Sequence, residues 1–556
     1  MLKILFIFTS ILFLIFTYIS LLTGQQVIEK SNNMVYWVEQ KNLIASDDNP
    51  GTEKQPFKTI SKASSIMQPG DTVIVRSGIY RESIICSHGG TGIDHMITYK
   101  AYPGEEVIVK GSDIVTDWKK DNGDIWKKSE WDINSQQVFT DGVSLQQIGK
   151  PCNDWPEDWL KSIGKEQEDM KPGTFYYNAS FHTLYAWLND GSEPNKHLME
   201  VSVRPFLFTT NKHNYIHLSG FTFMHTSAPE KLDSRLAAVS IDGYGHLIEN
   251  NCVLWCSFGG LGGAPEGNAV IRNNICNYNG CYGMDFHGKN WQMIDNETSY
   301  NNYRHFNTDW HAGGVKNISP KDVLVIGHKA YNNYGQGIWF DINCQNVRIE
   351  NCIVAGNSGH GIHYEISSSG TIINNIVFKN GKEGIYISLS NDCLVANNLV
   401  FDSFRGIVVG GNPKRGDLMN NEVRNNIVMN CKDALIAIAY DRGIPYTFHN
   451  NTSDYNLFWE TEEKLPFRHG WSEDRHVYGL KRFQELSKNE QHSIVANPKF
   501  LNTPYLNFNL SPDSPAIDVG IEIKTVKKDF FGNSRPYGNG YDIGPVEFIM
   551  KGRTDK

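Results

Sequence analysis

The chain has 556 residues, 40% of them hydrophobic and 20% charged, with a formal charge of −9. That mild acidity argues against nucleic acid or an anionic membrane surface as partner, because both select basic patches. A chain this long outgrows one simple core unless it extends as a one-dimensional repeat array.

At the N-terminus, Met1-Leu2-Lys3 precedes an apolar run, ILFIFTSILFLIF, that continues through Leu22 before Thr23-Gly24-Gln25 turns polar. A short basic start, an apolar segment and a small-residue exit read as a signal peptide over residues 1–24. This predicts export to the periplasm, the cell surface or the medium. No stable membrane insertion is expected unless the signal stays uncleaved and acts as an anchor. Ten cysteines are too sparse for a disulfide scaffold in a chain of this size. Cys252, Cys276, Cys352 and Cys393 recur in strand contexts, where they can bond or pack as small apolar residues. No cysteine pairs have zinc spacing, so no metal site is expected.

Residues 36–112 read as an N-terminal cap and first coils. A short helical pattern, SKASSIMQPGD, is followed by the strand-like Val73-Ile74-Val75 and Gly78-Ile79-Tyr80. The stretch NPGTEKQPFKTISKASSIMQPGDTVIVRSGIYRE resembles the opening segment of exported right-handed parallel β-helix proteins. In those proteins a helix covers the apolar side chains and unpaired backbone of the first coil.

Residues 113–205 change character. Strand-like runs such as Gln137–Gly142 and Thr183–Leu188 are separated by polar turns, and tryptophans crowd at 118, 126, 131, 155, 159 and 187. This predicts an inserted β-rich subdomain, a small sandwich, that is structural or overhangs a cleft.

Residues 206–450 carry a repeated phrase: Ile248-Glu249-Asn250-Asn251, Ile271-Arg272-Asn273-Asn274, Ile349-Glu350-Asn351-Cys352, Ile372-Ile373-Asn374-Asn375, Val395-Ala396-Asn397-Asn398 and Val423-Arg424-Asn425-Asn426. Asp295 fills the gap after Asn273. The commonest step, about 22–23 residues, lies in the range of repeat architectures. Short Val/Ile strands with Asn and Gly at the bends make each repeat a β-coil. Asn tolerates left-handed backbone, and stacked Asn side chains can hydrogen-bond along the stack. The fold class is therefore all-β, a parallel β-helix of three strands per coil. Its right hand follows from the resemblance and the crossover rule. Beyond Asn451 the period fades, and residues 451–548 read as an irregular C-terminal wrap in which Asp518 and Asp542 are turn residues.

Aligning one strand through successive turns gives Gly283–His287, Gly314–Ile318, Gly337–Asp341, Gly361–Glu365, Gly384–Ser388 and Gly406–Gly410. Strand side chains alternate between faces, so positions two and four after each Gly point outward. They read Asp285 and His287, Lys316, Trp339 and Asp341, His363 and Glu365, then Tyr386 and Ser388. A solvated face would favour Lys, Glu, Ser and Thr throughout rather than concentrate His, Trp, Asp and Glu in the middle turns. Asp341 and Glu365 on neighbouring rungs fit a retaining glycosidase, whose carboxyls stand about 5–5.5 Å apart, better than an inverting one at about 6.5–9.5 Å. Trp339 and a neighbouring carboxylate would raise the pKa of the proton shuttle. His311 and His363 are placed to hydrogen-bond the carboxylates or sugar hydroxyls, and Lys316 to keep Asp341 ionised.

The capped coil with an inserted sandwich, the Trp310-His311-Ala312-Gly313-Gly314 segment, the Gly-Ile-Trp-Phe-Asp strand and the Glu one coil later are similar to the β-helical β-xylosidases, glycoside hydrolase family 120. The resemblance implies Asp341 as nucleophile and Glu365 as acid/base, no cofactor, and a carbohydrate, first of all a β-xyloside, as substrate. It departs at Ala312, where that family carries an acidic residue. Two other readings stay open. A polysaccharide lyase would use Lys316 as base on a uronate polymer, commonly with Ca²⁺. A non-catalytic carbohydrate-binding protein would use the aromatics alone.

Overall fold

The structure is a computed structural model that describes residues 33–151, 155–228, 237–411, 417–438, 448–460, 466–469, 477–502 and 507–550. The signal expected at 1–24 lies outside these residues. Among the described residues no helix is long and apolar enough to cross a membrane.

Three sheets of thirteen strands each make the body of the molecule, parallel throughout except for Val477–Tyr478, which closes the third sheet antiparallel. Within a turn the chain visits them in a constant order, as in Leu247–Glu249, Cys252–Leu254 and Gly259–Gly263, before re-entering the first sheet at Ala269–Arg272. Each strand pairs in parallel with its counterparts one turn away: Leu247 with Val270, Cys252 with Ile275, Leu261 with Met284. Alternate side chains enter the coil, so Ile338, Phe340, Ile362, Tyr364, Ile385 and Ile387 all lie in one continuous apolar core. The expected all-β parallel β-helix is therefore the architecture.

The Asn-Asn phrases form the corner between the first and second sheets, and the two asparagines divide the work. The first takes a left-handed backbone, with φ between 53° and 58° at residues 250, 273, 351, 374, 397 and 425. The second stacks along the axis. Asn375 Nδ2 donates to the Ile349 carbonyl and to Asn398 Oδ1, both at 3.0 Å, while its Oδ1 accepts from the Cys352 amide at 2.9 Å. Asn398 and Asn426 repeat the pattern on Asn426 and Asn456. A second ladder, Asn279–Asn301–Asn333–Asn357–Asn380, runs down the next corner.

At the N-terminal end the helix Ile60–Ile66 buries Ile60, Ala63 and the following Met67 in the core. Its first free amides, of Ile60 and Ser61, donate to the Glu82 carboxylate at 3.0 and 2.8 Å, which meets the need every helix start has.

The chain leaves the second sheet after Val107–Lys110 and rejoins the coil in the third sheet at Phe208–Thr209. Between these points lie a four-stranded and a five-stranded sheet, largely antiparallel. They enclose a separate core containing Trp118, Val138, Phe175, Leu184 and Met199.

The array, expected over residues 206–450, runs further in the structure. Thr452–Asp454, Leu457–Trp459 and Phe467–His469 continue all three sheets. The step from Asn426 to Asn456 is 30 residues, so longer loops hide the period while the coil persists. A second helix, Leu480–Ser487, then places Phe483 against Phe467 at 5.4 Å in the same core. The tail packs Phe508, Leu510, Ala516 and Ile543 on Ile376, Leu399, Ile427 and Leu457 of the second sheet. Asp518 and Asp542 serve it as turn residues, accepting from the backbone amides of Gly540, Asp518 and Phe548. The nine described cysteines are all free, which removes the disulfide alternative for the strand cysteines.

Candidate functional site

The strands Gln336–Asp341 and Ile362–Glu365 are neighbours in the third sheet. Trp339 pairs with His363 and Asp341 with Glu365. One turn earlier Lys316 pairs with Trp339, and one turn later His363 pairs with Tyr386. Met284 pairs with Val315, which places Asp285 one rung before Lys316. Two outward columns result, Asp285–Lys316–Trp339–His363–Tyr386 and Asp341–Glu365–Ser388. They are more buried than an outward face suggests: Lys316 is 1% exposed, Trp339 4%, His363 5% and Asp341 8%.

Lys316 ties the columns together. Its Nζ lies 2.5 Å from Asp341 Oδ2 and 3.0 Å from the centre of the Trp339 ring. Burial lowers the lysine's pKa, and the carboxylates of Asp341, Glu365 and Asp285 oppose that shift. With Oδ2 held by the ammonium, Asp341 Oδ1 is buried without a hydrogen-bond partner.

His363 is sandwiched between Trp339, at 5.3 Å and 15°, and Tyr386, at 4.9 Å and 9°. Burial, then His360 and Lys316, hold its pKa well below the usual imidazole value, so the ring is neutral. Both its ring nitrogens and Trp339 Nε1 lack partners. The expected hydrogen bond from His363 to a carboxylate is not made. Nε2 stands 3.7 Å from Glu365 Oε2, too far for one.

His311 also departs from expectation. Its Nε2 lies 2.9 Å from Asp285 Oδ2 rather than against Asp341 or Glu365. His287 Nε2 is 3.3 Å from Asp285 Oδ1. Burial would favour the neutral acid, but the two imidazoles outweigh it and keep the Asp285 carboxyl down at about 2. Gly313, next but one along the chain from His311, opens its strand at φ +142°. There a Cβ would stand 2.3 Å from the Gln336 carbonyl.

A further column went unread in the sequence. His360 Nδ1 is 2.6 Å from Glu383 Oε2, Glu383 Oε1 is 2.7 Å from Arg405, and Arg405 Nε is 2.6 Å from Asp433, which also meets Arg468. His360 lies against His363 and Tyr386, with ring centroids at 4.5 and 5.0 Å. Burial disfavours the Glu383 carboxylate, yet His360 and Arg405 hold its pKa down at about 2. His360, Glu383 and Arg405 each sit one place before the Gly of a Gly-Ile phrase. Aligning the turns one residue earlier would have shown them. Among the described residues no group of three or more His, Cys, Asp or Glu is arranged to hold a metal ion.

A family model described as "Right handed beta helix region" matches residues 237–400 and 367–453, and one described as "Protein of unknown function (DUF1565)" matches 44–86. The chain is 23% identical over 511 residues to an uncharacterized protein, YwoF, of Bacillus subtilis (strain 168), covering 85% of this chain and 90% of that one. In structure it is similar to XylC, solved in complex with xylose, with a TM-score of 0.65, 17% identity and coverage of 93% and 99% of the two chains. A structure titled glycoside hydrolase matches at a TM-score of 0.47 with 12% identity, over 81% of this chain and all of that one. What the XylC likeness and the family model establish is the fold, and the chain is a right-handed parallel β-helix.

Proposed function

We propose that the protein is an exported carbohydrate-active enzyme, a retaining glycoside hydrolase with Asp341 as nucleophile and Glu365 as acid/base. One observation carries this reading: Asp341 and Glu365 are register partners on adjacent rungs, with Asp341 Oδ2 bound to Lys316 and Oδ1 unpartnered. Neighbouring strands stand about 4.8 Å apart, which suits carboxyls at about 5–5.5 Å.

In the first step Oδ1 attacks the anomeric carbon. The new C–O bond forms as the glycosidic bond breaks, and Glu365 gives its proton to the departing oxygen. In the second step water attacks the glycosyl ester, Glu365 takes the water's proton, and Asp341 leaves as carboxylate. Lys316 orients Asp341. The open donor of Trp339 and the neutral imidazole of His363 are available to sugar hydroxyls. Of the possible glycosides a β-xyloside leads, since XylC, which shares the fold, was solved with xylose.

The lyase alternative needs Lys316 as a free base. The lysine's lowered pKa suits that role, but its Nζ is engaged by Asp341 and the Trp339 ring. The test is a panel of aryl glycosides against wild type and Asp341→Ala. Turnover of at least one neutral glycoside, abolished in the variant, is expected. Absence of turnover across the panel, with a rise in ultraviolet absorbance from unsaturated uronate instead, would replace the hydrolase by the lyase.

A further inference from the structure

A cleft of about 700 Å³ opens between the insertion and the coil, walled by Gln137, Gln147 and Trp159 on one side and by Tyr303, Arg304 and Thr308 on the other. Sites that engulf small organic ligands span about 300–1,000 Å³. The two walls are braced across the gap: Gln137 Nε2 donates to the Tyr303 hydroxyl, and Arg304 donates to Gln147 Oε1 at 2.6 Å. One polar atom is left over. Gln137 Oε1 has no hydrogen-bond partner although the residue is only 1% exposed. A buried acceptor without a donor costs roughly 1–3 kcal/mol, which an incoming hydroxyl would recover.

Packed side chains link the cleft to the site on the third sheet. Trp159, half-buried at its rim, stacks on Trp310 at 3.9 Å and 11°. Trp310 adjoins His311, whose Nε2 holds Asp285. From the other wall, the Thr308 carbonyl accepts from Gln336, the first residue of the strand that carries Asp341, at 3.1 Å. Amide and hydroxyl groups on facing walls supply both donors and acceptors, as sugar hydroxyls require. A flat indole at the rim suits the C–H face of a pyranose ring.

We propose that this cleft binds the further sugar units of a neutral oligosaccharide whose reacting bond lies at Asp341 and Glu365. The insertion is then a specificity element that makes the enzyme read chain length. The assignment rests on the hydrolase reading for its reaction, but the binding it predicts is measurable without turnover.

The experiment is calorimetric titration of the full-length Asp341→Ala protein with xylose through xylopentaose, and with matched oligogalacturonates. Affinity is expected to rise about tenfold or more from the mono- to the trisaccharide of the neutral series. Trp159→Ala, at the rim, should cut that gain to about threefold or less. Gln137→Leu, which deletes the unpaired oxygen, should do the same, with the thermal midpoint checking that each variant remains folded. No gain with length, a gain untouched by Trp159→Ala, or a gain confined to the oligogalacturonates would overturn the proposal. Aryl-glycoside turnover by the protein with Asp341 intact separates the two failures. Turnover without a length effect removes the cleft and keeps the hydrolase, whereas a length effect without turnover removes the hydrolase and keeps a glycan-binding cleft.

Discussion

At the corner between the first and second sheets, Asn375, Asn398 and Asn426 occupy one position in successive turns and make the same contacts each time. On the third sheet, Lys316, Trp339, His363 and Tyr386 also occupy one position in successive turns, but no two are alike. Both are stacks on the same 4.8 Å spacing. In the ladder every amide finds a donor or acceptor, because an identical neighbour offers both. Beside it, the site leaves Asp341 Oδ1, Trp339 Nε1 and both His363 nitrogens unmatched inside the protein. Buried polar atoms are normally paired, so a cluster of unpaired ones on one sheet sets this face apart from the ladder. Repetition here builds the coil, and the break in repetition falls at the candidate site.

The comparison can be tested by breaking either stack. The largest effect is expected from Glu365→Ala, a fall of about 10²–10⁴ in kcat on a substrate with a poor leaving group. The loss should be smaller on an activated aryl glycoside, because a good leaving group needs no proton. An equal loss on both would remove the acid/base role. Lys316→Met leaves a buried carboxylate without its cation, so a loss of about 3–5 kcal/mol in chemical denaturation is expected together with a large drop in kcat/KM. Unchanged activity in the variant would show that the Lys316–Asp341 pair is only structural.

Asn375→Ala strips a carbonyl and an amide of their partners and takes one of two donors from Asn398 Oδ1. It should cost about 3 kcal/mol of stability and leave kcat intact, the reverse of the site's response. The smallest effect concerns His328, which stands in the first ladder between Asn296 and Cys352. Burial pushes its pKa down to about 3. As pH falls below about 6.5 the unfolded chain binds a proton that the folded chain refuses, so stability is present above that pH and is lost from there down towards pH 3. By pH 5 the loss is about 2 kcal/mol. His328→Asn should restore the ladder and flatten that part of the profile, read as the difference in thermal midpoint between pH 7 and pH 5.

Much of this was legible in the chain itself. A coil of three short strands needs a bend at fixed intervals, and only a few residues tolerate a left-handed backbone, so Asn250 through Asn425 wrote the period into the sequence. The same alternation placed Trp339, Asp341, His363 and Glu365 on one outward face. The reading failed where the signal was not periodic. The last turns lose the pattern because loops stretch the step from 23 residues before Asn398 to 28 and then 30 after it. The His360–Glu383–Arg405 column is hidden because its members stand one place before each glycine, outside the alternation that starts there.

The sequence by itself determined the repeat, the register and which side chains leave the core, because strand alternation and turn chemistry are local. Which of the outward groups meet is settled by the packed fold. Lys316 meets Asp341 as the column order leads one to expect, but His311 chose Asp285, and the insertion came to rest where Gln137 touches Tyr303 across 166 residues of chain. Such pairings depend on side-chain reach and on what each group loses by burial, and neither quantity has a period.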